Sequence, residues 1–405
     1  MFKKLRNFTE SRLGELLIVG AIFALALYLR LFFVNNINHL PLKDYSADAF
    51  NYDVMVRQFL DKGFLGYLSA KPNAYITPGY PLFLAAIYKA VGYQPESPLQ
   101  TVRLIQAIIA AVTVPLMYLV GKAVKNVRVG ILAALLAAVY PPFVWAPTIL
   151  LTETLGTFFL VLYLYTQLTA LSKEKPLYHL INGVVFGLGL LVRPATAPVI
   201  IFPYLIYWWR TRDLCSTIKG LAWTVGGVII IMLPWWVRNV LTMHKLIFLA
   251  TQTWNPMLGG AFPYFEGMYP LPKVESTTDV LKFILQGFLK QPALYLKWFT
   301  IGKFNIIFER MWFDLAPKYP YLRNLVLIHP LIVSVGWLGV LSALRHREIQ
   351  IPAILAFLMT GIQLMFIPVN RYAFGIMPML MVTTAFVAEV LLFGDASSPQ
   401  PAARG

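Results

Sequence analysis

Residues 15–34 read ELLIVGAIFALALYLRLFFV, an apolar run in which only Glu15 and Arg30 carry a charge. An α-helix needs about twenty such residues to cross the hydrocarbon core of a bilayer. Nine further runs follow, at about 101–121, 129–147, 149–170, 178–192, 195–210, 217–236, 324–344, 351–368 and 371–392. The sequence therefore predicts an all-α polytopic membrane protein with a bundle of about ten transmembrane helices.

The composition of the 405 residues agrees with this fold class. Hydrophobic residues make up 58% and charged residues 13% of the chain, against about 25% charged residues in soluble domains. The net charge of +16 would suit a nucleic-acid-binding protein only if the Lys and Arg residues clustered on one solvated face. Long apolar runs separate them here, so no nucleic-acid partner is expected. The single cysteine, Cys215, excludes an intramolecular disulfide and a multi-cysteine metal site.

The distribution of basic residues predicts the orientation of the chain. With the N-terminus inside, each short inner segment carries two or more cations, as the positive-inside rule requires. These cations are Lys3, Lys4, Arg6 and Arg12; Lys122, Lys125 and Arg128; Lys173 and Lys175; Arg210, Arg212 and Lys219; and Arg345 and Arg347. We therefore expect a multi-pass protein of a cell inner or plasma membrane with both termini cytoplasmic. The segment 393–405 is interpreted as a disordered tail.

Two segments, about 35–100 and 237–323, are too polar to span the membrane and fall on the outer side. Each contains amphipathic stretches, which are predicted to form helices lying along the membrane surface. These stretches are Ala49–Leu60, Pro81–Val91 and Val280–Leu289. Long structured loops often carry function, whereas the inner loops have only a few residues each. The working face is therefore expected outside.

Ionisable residues at the edges of the spans are candidates for function, because a charge at membrane depth is costly. Four of them fall near the outer side: Glu153, Arg193, Arg238 and Arg371. Each taken alone could be an interfacial residue whose side chain reaches water, but one acid and three arginines at one depth favour a site. Three others are interpreted as ordinary interfacial residues: Glu15, Arg30 and Glu389.

The first outer loop supplies carboxylates in the stretch LKDYSADAFNYD, which contains Asp44, Asp48 and Asp53. Ser46 is a candidate N-cap, which would place Asp48 in the first turn of a helix and Tyr52 on the same face. The alternative is a solvated acidic helix start that interacts favourably with the helix dipole. Residue type alone does not decide between a catalytic and a structural acid.

Small residues and prolines indicate two packing features. In NAYITPGYPLFLAAIYKAVG (residues 73–92), the prolines around Gly79 predict a rigid corner that folds the loop back onto the membrane. Gly183 and Gly187 have the small-xxx-small spacing that lets membrane helices approach closely. Pro194, directly after Arg193, is expected to end a helix there.

The order of short motifs resembles a known family. D-A-x-x-Y from Asp48 is followed by TPGYPLFLAAIYKAVG from Thr77. Later motifs are T-E-T-L around Glu153, L-V-R-P around Arg193, P-W-W-x-R-N ending at Asn239 and R-Y at 371–372. From about residue 1 to 392 the chain resembles the GT-C superfamily of polyprenyl-phosphate-sugar glycosyltransferases. The most similar branch is the bacterial one related to protein O-mannosyltransferases and lipid A aminoarabinose transferases. The resemblance implies one GT-C-like catalytic transmembrane domain over residues 1–392.

The resemblance also implies a reaction. A sugar on polyprenyl phosphate would be the donor, and a hydroxyl group of a glycan, lipid or protein would be the acceptor, at the outer face of the bilayer. Asp48 would be the base, and an inverting displacement would release the lipid phosphate. The implied phosphate ligands are Arg371, Arg193 and Arg238, with Lys303 and Lys297 as weaker candidates. The implied supporting residues are Glu153, Asp44, Asp53, Tyr52, Tyr80 and Tyr372.

The chain departs from the family at the catalytic position. Many relatives carry an acidic pair there, whereas Ala49 follows Asp48 in this sequence. A divalent metal therefore stays open as a cofactor, with no ligands assigned. The sugar and the acceptor also stay open.

A lipid-linked sugar transporter or flippase is the main alternative. A transporter is expected to place polar groups near the bilayer midplane, often with inverted repeats. The sequence has no evident repeat, and its ionisable candidates lie at one face; only the break at Arg193 and Pro194 fits that alternative. A non-enzymatic scaffold is a third interpretation, but it leaves the four edge residues without a purpose.

Overall fold

The structure is a computed structural model that describes residues 11–36, 42, 46–252, 254–270, 272, 274, 276–312 and 326–394. Every regular element in these ranges is helical, as the sequence predicts. The cations at positions 3–6, Asp44 and nearly all of the tail lie outside the described residues.

The α-helices are labelled in chain order. The first nine are α1 (Arg12–Asn36), α2 (Ala47–Lys62), α3 (Gly79–Val91), α4 (Leu99–Val124), α5 (Val127–Val139), α6 (Pro141–Trp145), α7 (Glu153–Lys173), α8 (Pro176–Val192) and α9 (Phe202–Thr211). The others are α10 (Leu214–Met243), α11 (Trp254–Gly259), α12 (Thr277–Lys290), α13 (Pro292–Lys297), α14 (Lys303–Phe308), α15 (Ile328–Ser342), α16 (Gln350–Leu364) and α17 (Met377–Phe393). Short 3₁₀ segments include Ala146–Thr148, Pro194–Ile201 and Asn370–Ala373.

Each of the ten predicted spans overlaps a single helix or a run of two or three helical pieces. Among the described residues, four helices are long and apolar enough to cross a membrane unaided: α1, α4, α7 and α10. Two bent pairs raise the number to six if each counts as one span, α5 with the segment 141–148 at 61° and α15 with 347–364 at 114°. The predicted span 195–210 divides into a 3₁₀ segment and α9. Prolines at 194 and 198 explain this break, because proline lacks the N–H that an α-helix needs.

The amphipathic helices of the outer loops lie where the sequence predicts them, as α2, α3 and α12. Ser46 is the N-cap of α2, although its side chain makes no capping hydrogen bond. Helices α2 and α3 pack on each other through buried Tyr52, Met55 and Tyr80. The same apolar cluster includes Val102 of α4 and Val192 of α8, so the first outer loop packs directly on the bundle.

Close glycine contacts dock the first outer loop on the bundle and pack α8 against α10. A Cβ atom at Gly79 would lie 2.6 Å from the backbone carbonyl of Leu191, near the end of α8. A Cβ atom at Gly187 would lie 2.9 Å from Cβ of Ile231 on α10, and one at Gly183 would meet the Thr224 carbonyl. Both packing predictions are confirmed, and the Gly79 corner places the loop two residues from Arg193.

The acids near the predicted inner ends are paired rather than simply interfacial. Glu389 of α17 is 3% exposed and lies 3.0 Å from Lys125 Nζ. Glu15 of α1 accepts a hydrogen bond of 2.5 Å from Lys122 Nζ at the end of α4. The interfacial interpretation of Glu389 is wrong, because the segment between α4 and α5 covers its side chain and supplies its cation.

Candidate active site

Arg371 joins two carboxylates that come from distant parts of the chain. Its Nε and Nη2 atoms donate to the two oxygens of Glu153, at 2.5 and 3.3 Å. Its Nη1 atom donates to Oδ2 of Asp48 at 3.0 Å. Arg371 belongs to the 3₁₀ segment before α17, Glu153 is the first residue of α7, and Asp48 lies in the first turn of α2. The site therefore forms where three helix starts meet.

Arg193 completes this cluster from α8. It is the C-cap of that helix with an extended backbone (φ −138°), a conformation favoured before proline. Its Nη1 atom donates to Oε1 of Glu153 at 2.9 Å, and a Cβ atom at Gly156 would lie 2.6 Å from its Cδ atom. Glycine at 156 thus leaves room for the arginine stem on the surface of α7.

Exposure divides the cluster into a buried and an accessible part. The Glu153 side chain is 1% exposed, whereas Asp48 is 43% exposed. Arg193 and Arg371 lie between these values, at 24% and 23%. Two carboxylates face two guanidinium groups, so the charges balance, as buried ionic groups require. Glu153 is placed to orient the arginines, and Asp48 is the carboxylate that is open to the surroundings.

Tyr67 holds Asp48 from the other side and was not among the residues that the sequence predicts. Its hydroxyl group donates to Oδ1 of Asp48 at 3.0 Å. Burial and the Asp48 charge raise the pKa of Tyr67 above its usual value, so the hydroxyl keeps its proton. Its ring stacks on Tyr75 at 5.7 Å and contacts Tyr52 at 5.7 Å. Nothing in the spacing of the sequence indicates this contact, because Tyr67 lies in irregular chain beyond α2.

The other aromatic candidates support the cluster rather than face it. Tyr52 is 8% exposed and its ring contacts Tyr80 at 5.0 Å. The Tyr80 hydroxyl donates to Oε1 of Gln106 at 2.9 Å. Tyr372 is half-buried beside Arg371. Trp312, also missed by sequence reasoning, packs its ring 5.6 Å from the Arg371 guanidinium carbon, a cation–π distance.

The structure does not bring Arg238 or Asp53 into contact with the carboxylate pair. Arg238 donates to the backbone carbonyls of Asn73 at 2.9 Å and Leu65 at 3.0 Å. It therefore ties α10 to the first outer loop. Asp53 accepts a hydrogen bond of 2.5 Å from the Tyr88 hydroxyl, between α2 and α3. Both contacts hold the loop in place.

The two lysine candidates differ from each other. Lys303 is fully buried, and its Nζ atom donates to the Leu364 carbonyl at 2.8 Å and lies 3.6 Å from the centre of the Phe299 ring. Burial lowers the pKa of Lys303 to about 7. Lys297 is exposed. Only Lys303 packs near the segment that carries Arg371, since α14 contacts the 3₁₀ helix Asn370–Ala373.

A narrow cleft opens beside the cluster, between α7, α8 and α16. Its lining includes Arg193, Thr196, Tyr372 and Gln363. The Arg193 guanidinium group lines this cleft. Among the described residues it makes one hydrogen bond, which its Nη1 atom donates to Glu153. The cleft therefore exposes one guanidinium group next to the carboxylate pair.

The donor set of the cluster suits a guanidinium better than a divalent metal. No group of three or more His, Cys, Asp and Glu side chains converges within the described ranges. Asp48 and Glu153 both direct oxygens at Arg371, and a divalent cation would have to displace it. In this arrangement the cluster does not fit a divalent metal.

Part of the sequence matches a known family. Residues 76–237 match the profile of the dolichyl-phosphate-mannose-protein mannosyltransferase family. No curated protein matches the sequence.

The fold is similar to that of much larger membrane enzymes. One is the archaeal oligosaccharyltransferase AglB from Archaeoglobus fulgidus, in complex with an inhibitory peptide and a dolichol-phosphate. The TM-score is 0.56 and the sequence identity 16%, and the match covers 96% of this chain and 52% of AglB. Another is ArnT from Cupriavidus metallidurans bound to undecaprenyl phosphate. The TM-score is 0.55 and the sequence identity 12%, and the match covers 94% of this chain and 61% of ArnT. A third is the Archaeoglobus fulgidus oligosaccharyltransferase in complex with Zn and sulfate, with a TM-score of 0.55 and 16% identity over 92% of this chain and 49% of that one.

The chain spans about half the length of the oligosaccharyltransferase structures it matches. At sequence identities of 12–16%, these similarities show a shared fold only. The resemblance read from the motifs is nevertheless confirmed on two grounds, one from sequence and one from structure. This chain has the GT-C fold of these structures, and its residues 76–237 match the profile of the dolichyl-phosphate-mannose-protein mannosyltransferase family.

Proposed function

We propose that this protein is an integral-membrane glycosyltransferase that moves a sugar from a polyprenyl-phosphate donor to a hydroxyl acceptor at the outer face of the membrane. The observation that carries the proposal is the contact of Asp48 and Glu153 with one arginine, Arg371. All three belong to motifs on which the family resemblance rests. The solved relatives bind dolichol-phosphate and undecaprenyl phosphate, which supports a lipid-phosphate donor.

Asp48 is the proposed base. It is the exposed carboxylate of the cluster, and Tyr67 and Arg371 hold its two oxygens from either side. As the acceptor oxygen attacks the anomeric carbon, its proton passes to Asp48 and the bond between that carbon and the phosphate oxygen breaks. The electron pair of that bond leaves with the polyprenyl phosphate. A single displacement of this kind inverts the anomeric configuration.

Arg371 and Arg193 are the proposed ligands of the departing phosphate. Negative charge grows on this group in the transition state, and donors already fixed in place stabilise it most. Glu153 is almost fully buried and bonds both arginines, so it fixes their orientation before the substrate arrives. Arginine suits this task because its fork matches two phosphate oxygens.

The decisive experiment is a donor screen with purified protein in lipid nanodiscs. Mannose, glucose, galactose, aminoarabinose and arabinose on polyprenyl phosphate are each incubated with the protein, and donor loss is measured. We expect one donor to be consumed, and Asp48→Asn and Arg371→Ala to abolish its consumption. Asp61→Asn is the matched control, because Asp61 lies on the same helix and bonds only Tyr93 among the described residues.

Two outcomes would contradict the proposal. Full turnover by Asp48→Asn would exclude Asp48 as the base. Movement of an intact donor across a liposome membrane, without its consumption, would favour the flippase instead.

A further inference from the structure

Arg30 lies inside the helix bundle, although its position in the sequence suggests an interfacial side chain. It is 1% exposed. Its Nη1 atom donates to the carbonyls of Ala26 at 2.9 Å and Ala138 at 3.2 Å, and Nη2 donates to the carbonyl of Ala137 at 3.1 Å. The last two carbonyls belong to the final turn of α5, which has no helical partners for them. The interfacial interpretation is wrong because α5 covers the guanidinium.

These carbonyls solvate the Arg30 charge but do not neutralise it. No carboxylate within the described ranges lies within 4.0 Å of Arg30, and its Nε atom has no hydrogen-bond partner there. An unpaired charge in the interior of a membrane protein is costly unless a counter-charge or water compensates it. Arg30 therefore lacks both a counter-ion and one hydrogen bond.

A small, half-open cavity lies beside Arg30, between α1, α4, α5 and α7. Thr113, Thr154 and Thr157 line it together with Phe143 and Phe374. Thr154 is 4% exposed, and its hydroxyl group also lacks a partner within the described part of the chain. Two buried polar groups without partners thus line the same cavity, and both can donate a hydrogen bond.

The chemistry of the lining favours an anion over water. Arg30 Nε is a donor only, and the Thr154 hydroxyl is free to donate. The threonine hydroxyls could also accept from a water molecule, but among the described residues that line the cavity none is a carboxylate, so the Arg30 charge decides between the two occupants. A neutral water molecule would leave the Arg30 charge uncompensated. A small monovalent anion accepts from both groups and neutralises the guanidinium.

We propose that this cavity binds a small inorganic anion of halide size, held by Arg30 and Thr154. Thr154 directly follows Glu153, so the bound anion connects α1 to the first turn of α7. The inferred site is therefore a structural anion site behind the carboxylate cluster. It does not depend on which substrate the protein uses.

The test is a halide titration of the full-length protein in nanodiscs. The protein is prepared in sodium gluconate, chloride or bromide replaces gluconate at constant ionic strength, and the melting temperature is followed by tryptophan fluorescence. We expect the melting temperature to rise and to saturate with halide. Arg30→Met should abolish this rise, and Thr154→Val should weaken the apparent affinity about five-fold, the value of one neutral hydrogen bond.

Thr113→Val is the matched control. Thr113 lines the same cavity, but its hydroxyl group already donates to the Ile109 carbonyl at 2.9 Å, so its removal should leave the halide affinity unchanged. Crystals grown in bromide provide a second measurement if Arg30→Met does not fold. An anomalous bromide peak next to Arg30 Nε is the expected result. A halide response retained in Arg30→Met, or a cavity without anomalous density in bromide crystals, would overturn the proposal.

Discussion

Arg371 Nε lies 2.5 Å from Glu153 Oε1, although 218 positions separate the two residues in the chain. The contact joins the start of α7 to the segment that precedes α17. Arg193 bonds the same Glu153 oxygen at 2.9 Å, so one buried carboxylate holds two arginines. Removing that carboxylate should therefore affect the stability of the fold as well as the reaction.

Glu153→Gln is expected to destabilise the protein by about 3 kcal/mol, because loss of one partner leaves partly buried cations uncompensated. Chemical or thermal unfolding in nanodiscs measures the change. Glu309→Gln is the control, since Glu309 is 61% exposed and pairs with an exposed arginine, a kind of pair that contributes little. Equal stability of the two variants would show that Glu153 does not hold the arginines.

Tyr67→Phe is expected to lower kcat about ten-fold without changing the melting temperature. The substitution removes the hydrogen bond to Oδ1 of Asp48 and keeps the ring. The raised pKa of Tyr67 keeps its hydroxyl protonated through neutral pH, so the difference should be the same from about pH 6 to 8. Donor consumption measures the effect. Tyr75→Phe removes the hydroxyl group of the ring that stacks on Tyr67 and should retain activity. Equal loss of activity in both variants would argue that Tyr67 does not position Asp48.

Gly79→Ala is expected to destabilise the protein, because its Cβ atom would lie 2.6 Å from the Leu191 carbonyl. The neighbour is backbone of α8 and cannot move as a flexible side chain could. Overpacking of this kind costs about 1–3 kcal/mol. Gly226→Ala on α10 is the control, since nothing lies within 4 Å of its added methyl group. A melting temperature of Gly79→Ala at or above that of the control would contradict the close docking.

Lys303 should make stability depend on pH. Burial lowers its pKa to about 7, whereas the unfolded chain has a lysine pKa of about 10.4. Between these values the unfolded state binds more protons, so the free energy of unfolding contributed by Lys303 rises with pH from about 7 to about 10. Lys303→Met should flatten this rise. Lys297→Met, at an exposed lysine, should leave the pH profile unchanged. If Lys297→Met flattens the profile and Lys303→Met does not, Lys303 is not the source of the pH dependence.

Donor consumption is expected to survive chelation. Arg371 already lies between Asp48 and Glu153, where a divalent metal would have to bind to use both carboxylates. Activity is measured before and after treatment with EDTA, and again after Mn²⁺ or Mg²⁺ is returned. Activity lost on chelation and restored by one metal would show that Arg371 gives way to a metal ion during the reaction.

Local properties of the sequence determine much of this protein. Apolar runs predict the helices, prolines predict the break after Arg193, and Gly79 and Gly183 predict two close helix contacts. These signals are local because hydrophobic length, a missing N–H group and a missing Cβ atom act where they occur. The same reasoning singled out Glu153, since a carboxylate near a span edge stands out in so apolar a chain, whereas the role expected of Asp48 came from the family resemblance of its motif.

Tertiary structure alone decided which groups meet. Arg238 and Arg371 look alike in the sequence, yet the first bonds backbone carbonyls of the outer loop and the second bonds two carboxylates. Tyr67 gives no sequence signal, and Arg30 gives a misleading one. Long polar side chains reach several ångströms, so their partners depend on how helices far apart in the chain pack together. The sequence determines which charges enter the membrane, and the packing determines what compensates each of them.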